Sequence, residues 1–377
     1  MRLSPFLLDE WLERFKNGEI RHDLASSTGP LWTLRELVAL ASEDERRAIF
    51  DRPLVYCPAA GEPELRAGIA ALHGVQAEDV IVTTGAAEAL HILFFDAAEP
   101  GANVVVSAPG FPPTWSIPEG LGLEVRSYRL SADHGFRLDP QEVARLVDDR
   151  TRLLLVTSPH NPTGAVLQEA EMQGLAALAA SRGALLVADE VYHPLYLGPK
   201  VRTAATRPEA VVVGDFSKAL CLSGLRLGYI IDRDPARRER WLRARMHFTV
   251  SSTTLGEALA VLALRHKETI WGRAATRVAA SHAAFKRTVE RLSGLIGWVE
   301  PRGGTTAFPW LTFTDDSRPF AEALADEGVL VAPGDCFGVP RHFRIGLGAC
   351  DDFEKALPVL ERVVQSVAEG ARRPLPA

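Results

Sequence analysis

The chain has little sulfur and no blocks of charge. Its 377 residues include 4 cysteines, Cys57, Cys221, Cys336 and Cys350, and no two of them form a C-x-x-C pair. Zinc-ribbon and dithiol redox chemistry are therefore unsupported, no metal is expected, and sparse thiols suit the reduced cytoplasm. There is no run of about 18 uncharged apolar residues, the length a membrane-crossing helix needs. Long basic runs are missing and the net charge is −6, so neither nucleic acid nor a membrane is an expected partner. Internal repeats and low-complexity tracts are absent too. Between Met1 and Phe15, Asp9, Glu10 and Glu13 lie among Phe6, Leu7, Leu8, Trp11, Leu12 and Phe15. Apolar residues at i, i+3, i+4 spacing with interspersed acids predict an amphipathic helix, not a secretory signal.

What is present is the composition of a globular enzyme, 47% hydrophobic and 24% charged, and long enough for two domains. Strand-length apolar runs fall at Val80–Thr84, Asn103–Ser107, Leu123–Tyr128, Arg152–Thr157, Ala184–Asp189, Ala210–Asp215 and Leu227–Ile231. Several are nearly continuous Val, Ile or Leu, which suits strands buried on both faces of a mostly parallel sheet. Helical patterns such as Ala86–Phe95 and Gln168–Arg182 lie between them, so an α/β layered fold is expected. After Asp234-Pro235 the texture changes. Long helical stretches are predicted from Ala236 to about Leu264 and from about Glu268 to Leu292. Short strands follow at Gly297–Glu300, Thr305–Thr312 and His342–Gly346, with a helix at Pro319–Glu327. Arg237-Arg238 to Arg245 reads as a solvated helix face, and Arg372 to Ala377 as a frayed tail. The expected organisation is an N-terminal arm (1–45) packing on a small C-terminal α+β domain with its linker helix (246–377), and a large α/β domain between them (46–245).

Lys218 is the most informative residue. The run Ala210 to Val213 delivers it into a Gly- and Ser-rich turn, and Arg226 follows eight residues later. A lysine condenses with an aldehyde to form a Schiff base, and a nearby arginine can hold a phosphate. Pyridoxal phosphate carries both groups. The alternative for any one lysine is a solvated surface side chain.

Four other segments bear on the same chemistry. Thr83-Thr84-Gly85-Ala86-Ala87 follows a strand and opens a helix, where small residues and unpaired N–H groups admit an anion; an ordinary strand-to-helix turn fits as well. In Ser158-Pro159-His160-Asn161-Pro162-Thr163-Gly164, the Asn161 amide suits a donor beside a cofactor, although the whole segment also suits a plain turn. His160 there is expected to be a loop residue without a catalytic role. Asp189 and Tyr192 follow a buried run, at the strand end where α/β sheets bind ligands. A carboxylate at that point can keep a pyridine nitrogen protonated, and Tyr192 can donate to a phenolic oxygen; the alternative for Asp189 is a helix N-cap, and Glu190 is expected to face solvent or to be structural. Finally, Arg344 lies inside the apolar strand Phe343-Arg344-Ile345-Gly346. A buried arginine needs an anion, either a substrate carboxylate or an internal ion pair.

Together, in this order and from about residue 24 to 350, these segments resemble the class I and II aminotransferases, pyridoxal phosphate enzymes of fold type I. The resemblance implies a seven-stranded, mostly parallel sheet in a large domain with a smaller α+β domain, and a homodimer with shared active sites. It implies that Lys218 is the imine lysine, Gly85, Ala86 and Ala87 the phosphate loop with Ser217 and Arg226 as further phosphate ligands, and Phe111 the aromatic stacked on the pyridine ring. Asn161 would lie beside the ring hydroxyl, Asp189 at the pyridine nitrogen and Tyr192 at the phenolic oxygen. Tyr56, in the pattern with Gly61 and Leu65-Arg66, would reach the phosphate of the partner subunit's cofactor. Arg344 would bind the α-carboxylate, and Trp32 is expected to line the site mouth unless it is a packed core residue. The implied activity is transfer of an amino group from an α-amino acid to a 2-oxo acid.

One position departs from the pattern. Three residues before the lysine the family usually has Ser or Thr, and this chain has Asp215. A carboxylate beside a phosphate is repulsive, so Asp215 is expected to turn away, to a cation for instance, or the phosphate cup to be rearranged. At the N-terminus, Leu8-x-x-Trp11-Leu12 followed by Asp23-Leu24-x-Ser26-Ser27 is similar to the capreomycidine synthase branch of the superfamily. That similarity keeps elimination or cyclisation open as the alternative reaction, since both use the same lysine and arginine.

Overall fold

The computed structural model describes residues 3–18 and 20–371; the segment Arg372–Ala377 lies outside the described residues. Helix α1 (Leu7–Arg14) buries Leu8 and Trp11, three apart on one face, and carries Asp9 and Glu10 in its first turn, where the helix dipole favours acids. The Trp11 indole N–H donates to the Val331 carbonyl at 2.8 Å, and Arg14 pairs with Glu322 at 3.2 Å. Strand β1 (His22–Asp23) runs parallel to Val329–Leu330. The arm is thus tied to C-terminal elements at three points.

Seven strands form the main sheet: β2 (Val80–Thr83), β3 (Asn103–Ala108), β4 (Glu124–Arg129), β5 (Thr151–Thr157), β6 (Leu185–Asp189), β7 (Ala210–Asp215) and β8 (Gly228–Ile231), in the order β2-β8-β7-β6-β5-β3-β4. Alternate residues of a strand enter opposite cores, because successive side chains point to opposite faces. Leu154, Val156, Leu186, Ala188 and Val212 face one cluster, while Leu153, Leu155, Val187, Val211 and Val213 face the other. This two-sided burial accounts for the unbroken apolar runs. Edge strand β4 is the exception, with Glu124, Ser127 and Arg129 exposed.

Only β8 runs against its neighbours, β2 and β7. An antiparallel neighbour can be joined by a short connection, so the chain leaves β7, makes the Lys218 turn and returns at once. Strands β2, β5, β6 and β7 all point the same way, and their carboxyl ends gather along one edge. Such an edge is where open α/β sheets bind ligands.

The C-terminal part departs from expectation in four places. The stretch from Ala236 is two helices, Pro235–Phe248 and Thr254–Arg265. Hydroxyl residues break it: Thr253 caps the second helix by accepting the Gly256 N–H at 3.1 Å. Arg245 is not on a solvated face but fully buried. Its guanidinium donates to Ser252 Oγ at 2.7 Å and to the Ala59 carbonyl, with Glu88 3.6 Å away. Of the other two arginines, Arg237 pairs with buried Asp232 at 2.7 Å and Arg238 with Asp79 at 3.3 Å. The expected strands Gly297–Glu300 and Thr305–Thr312 are realised only as Ile296–Gly297, Thr306–Ala307 and Trp310–Leu311; Pro309, lacking an N–H, separates the last two. A closing helix, Phe353–Ala371, was not anticipated; its buried stripe of Leu357, Leu360 and Val364 is the signal for it. Thr306–Ala307, Phe343–Gly346 and Ala332–Pro333 form a small antiparallel sheet that carries Arg344 in its central strand.

Candidate active site

A cavity of about 690 Å³ opens at the carboxyl edge of the main sheet, between it, the Arg344 strand and α1. Lys218 reaches into it from the turn after β7. The turn is shaped by Asp215, whose Oδ1 accepts the backbone N–H of Ser217 at 2.9 Å and of Lys218 at 3.2 Å. The carboxylate therefore turns to backbone donors rather than to a cation, while still lining the cavity wall. Burial pushes the Asp215 carboxyl up, against the pull of the Lys218 charge. Burial lowers the Lys218 ammonium below its ordinary value, with Asp215 opposing. The Lys218 amine donates to Ser27 Oγ at 3.0 Å.

Asp189 ends β6 on the cavity wall. Its Oδ1 accepts the Val191 N–H at 3.2 Å, and burial pushes its carboxyl up to about 7. Tyr192, one turn on, is fully buried, and its hydroxyl makes no hydrogen bond of ordinary geometry, although Ser27 is close enough to act on it. Burial raises that phenol to about 12. Asn161, in the loop after β5, uses Oδ1 to accept Arg344 Nη1 at 3.1 Å.

Arg344 is 2% exposed. Its Nη2 donates to the Ala25 carbonyl at 2.7 Å, its guanidinium lies 5.0 Å from the Phe337 ring centroid, and its Nε has no partner. Among the described residues no carboxylate comes within ion-pair distance of it, so the internal ion pair weighed as an alternative is not formed. Burial lowers its pKa, the expected response of a cation without an anion.

The segment Gly85–Ala87 begins the helix Gly85–Ala97. Gly85 has φ +76°, and a Cβ there would stand 2.7 Å from Arg226 Nη2; glycine is what lets the arginine close on the helix N-terminus. Arg226 donates to the Ser223 carbonyl at 3.1 Å and has no carboxylate partner among the described residues. Buried Ser217 lines the same region. An unpaired guanidinium, free helix-end N–H groups and a hydroxyl together suit a phosphate. With the unpartnered Tyr192 hydroxyl and the Lys218 amine in the same cavity, the residues present fit pyridoxal phosphate.

The cavity thus brings together Ala86, Ala87, Phe111, Asn161, Asp189, Tyr192, Ser217, Lys218, Arg226 and Arg344. Three expected residues are not on its wall: Gly85, which sits just behind Ala86 against Arg226, Tyr56 and Trp32. Tyr56 is 83% exposed on the surface. Trp32 does not line the mouth: it packs against Leu195, Ala219, Cys221 and Ala274, with the Arg273 guanidinium 4.7 Å from its ring. His160 is buried, its nitrogens 3.1 Å from Ser107 Oγ and 2.9 Å from Thr163 Oγ1, and it braces the loop. Glu190 is not solvent-facing; it is buried and takes the Thr203 hydroxyl and the Ala204 N–H, each at 2.6 Å. Two kinds of wall residue were missed. Ser27 holds the lysine amine, and Phe6, Leu8, Asp9 and Leu12 of the arm cover the mouth. The conspicuous apolar stripe of α1 and the Ser26-Ser27 pair were the available signals.

Comparison with known proteins agrees with this geometry. A family profile described as "Aminotransferase class I and II" matches residues 25–363. Capreomycidine synthase of Streptomyces vinaceus is 30% identical, covering 97% of this chain and 95% of its own length. Aspartate/prephenate aminotransferase of Thermus thermophilus is 32% identical, covering 85% and 86%. The crystal structure of a PLP-dependent aminotransferase from Streptococcus suis superposes with a TM-score of 0.90 over 100% of both chains at 24% identity, a likeness of fold.

Proposed function

The chain belongs to the class I and II aminotransferases, enzymes dependent on pyridoxal phosphate, and we propose that the Lys218 cavity is where it moves the amino group of an α-amino acid to a 2-oxo acid. The observation that carries this reading is Arg344. A buried guanidinium with a free Nε and no carboxylate partner faces the same cavity as a lysine amine. Such a cation is destabilising until an anion arrives, and a substrate α-carboxylate fits its fork.

In this reading Gly85, Ala86, Ala87, Ser217 and Arg226 hold the cofactor phosphate, Phe111 lies on the ring face, and Asn161 and Tyr192 donate to the ring oxygen. Bound there, pyridoxal phosphate supplies a carbonyl carbon for the donor's amino group and a ring that accepts the electron pair left at Cα. Asp189 holds a proton on the ring nitrogen; a carboxylate so reluctant to stand alone gains a cationic partner. Arg344 fixes the donor by its carboxylate and so sets which bond at Cα faces Lys218. Lys218, its ammonium weakened by burial, would act as the neutral amine that takes the proton from Cα. Phe6, Leu8 and Leu12 keep water from the exposed electron pair.

The site is completed by Tyr56 of a second copy in a cytoplasmic homodimer. Support comes from the loop that carries it, where Leu54 is 85% and Val55 66% exposed, an apolar surface suited to a partner. Sedimentation of the cofactor-loaded protein as a monomer would remove this part of the reading. Among the described residues no helix is long and apolar enough to cross a membrane.

A second reading, a lyase or cyclase, is favoured by one observation: the capreomycidine synthase match covers more of this chain than the aspartate/prephenate aminotransferase match, 97% against 85%. A single turnover with excess donor and no 2-oxo acid separates the two. A transaminase stops after about one oxo acid per site. A lyase or cyclase goes on consuming donor. If neither enzyme behaviour occurs, and borohydride does not fix the cofactor onto Lys218, both readings fail.

A further inference from the structure

We propose that Arg245 is a positioning residue for the cofactor phosphate: it compensates the Glu88 carboxylate, which would otherwise repel that phosphate from the start of the helix Gly85–Ala97. The inference rests on the reading of Gly85–Ala87 as the phosphate site and adds the residues that keep this site open to an anion.

The helix begins without a side-chain cap, so its first N–H groups are left for a ligand. Glu88 stands in its first turn, and both of its oxygens are committed. Oε2 accepts the N–H of Thr84, the residue just before Gly85, and Oε1 accepts the Thr249 hydroxyl. These bonds fix how the chain enters the helix. They also place a carboxylate, its side chain 8% exposed, at the helix end that a phosphate would occupy. The helix dipole favours one anion there, and a second meets the repulsion of the first. The helix end cannot back away to relieve it, because a Cβ on Gly228 would already stand 2.4 Å from the Gly85 carbonyl carbon. The charge has to be offset in place.

Arg245 is fully buried, and Glu88 is the one carboxylate within ion-pair distance of it among the described residues, Nε lying 3.6 Å from Oε2. The other nitrogens are held by neutral oxygens, Nη1 by the Ala59 carbonyl and Nη2 by the Ser252 hydroxyl at 2.7 Å. The guanidinium is therefore pinned from two further segments while its charge is left for Glu88. Burial lowers its pKa, and the Glu88 charge opposes this ahead of Glu257 and Cys57. Glu257, the other buried acid nearby, takes the Glu62 N–H at 2.7 Å. A planar fork that meets three segments at once is a task for arginine rather than lysine.

The test compares the equilibrium affinities of the protein for pyridoxal phosphate and for pyridoxal, which lacks the phosphate, titrated by the visible absorbance of the lysine imine. Their ratio reports on the phosphate site and cancels losses common to both ligands. Arg245→Met should cut the ratio about 10-fold or more, the size expected when a buried charge loses its partner. Adding Glu88→Gln, which keeps an acceptor for the Thr84 N–H, should restore most of it, and adding Glu257→Gln instead should not. A ratio that Arg245→Met leaves unmoved, or that Glu88→Gln fails to restore, or that Glu257→Gln restores equally, overturns the proposal. Where Arg245→Met does not fold, Glu88→Gln alone decides: a ratio that holds or rises supports the proposal, and one that falls about 10-fold overturns it. A wild type that binds pyridoxal phosphate no tighter than pyridoxal would remove the phosphate site itself, and with it the reading of the cavity.

Discussion

The Asn161 side-chain oxygen accepts a 3.1 Å hydrogen bond from Arg344 Nη1 across the cavity, tying the loop after β5 to the central strand of the small sheet. The bond fixes the orientation of the amide. Its oxygen is used, so the Nδ2 hydrogens remain free to donate to a ring oxygen, as the proposed function requires. It also holds Arg344 with a neutral acceptor, which leaves the positive charge uncompensated.

That neutrality is testable with Asn161→Asp, which puts a carboxylate where the amide oxygen now stands and gives Arg344 an internal partner. KM for α-amino acids, measured at saturating cofactor, should rise about 10–100-fold, because the substrate carboxylate now competes with a fixed one. Thermal stability should hold or rise, since a buried cation acquires an anion. An unchanged KM would mean that Arg344 does not receive the donor.

The residues legible in the sequence share one property. Lys218, Asp189 and Asn161 each follow a strand-length apolar run, so their place at one edge of a mostly parallel sheet followed from topology. Arg344 stood out because a charge inside an apolar strand demands an explanation. The misread residues depend on partners distant in sequence. Arg245 looks like its neighbours Arg237 and Arg238, and only the approach of Ala59 and Ser252 makes it a buried post. For Trp32 the mouth and the packed core were both open, and Arg273 and Ala274, on the helix Lys267–Arg291, hold it in the packed position. Asp215 was noticed as a departure, yet its solution lay in two backbone N–H groups of its own turn, which composition does not reveal. The role of α1 as a cavity wall was hidden because one apolar stripe serves both packing and cover.

Asp189 gives a pH signature to the cofactor-free protein. Burial lifts its carboxyl from 3.8 to about 7, so between those values the folded state keeps a proton that the unfolded state has released. Stability must then fall as pH rises from about 4 to about 7 and level off above. Glu190, also pushed up to about 7 by burial, adds a slope of the same sign. Asp189→Asn should remove only the Asp189 share. Urea unfolding at pH 5 and pH 8 should show the wild type losing on the order of 1–3 kcal/mol more than the variant, a discounted equivalent of the shift. Identical losses in the two proteins would show that Asp189 is compensated in the folded state.

Tyr192 separates a functional group from a structural one. Its hydroxyl is buried without a partner, and an unsatisfied buried polar group costs about 1–3 kcal/mol. Tyr192→Phe removes the hydroxyl and keeps the ring, so the cofactor-free protein should be as stable as the wild type or up to about 1 kcal/mol more stable. Pyridoxal phosphate affinity should move the other way, falling about 10-fold with the loss of a donor to the ring oxygen, the size expected for one hydrogen bond to a charged acceptor. Opposite signs in the two measurements are what a site built to hold a ligand produces, since its polar groups are satisfied only when the ligand is bound. A variant that melts lower without cofactor and binds it as well as the wild type would make the hydroxyl a structural group, and the ring oxygen would then depend on Asn161 alone.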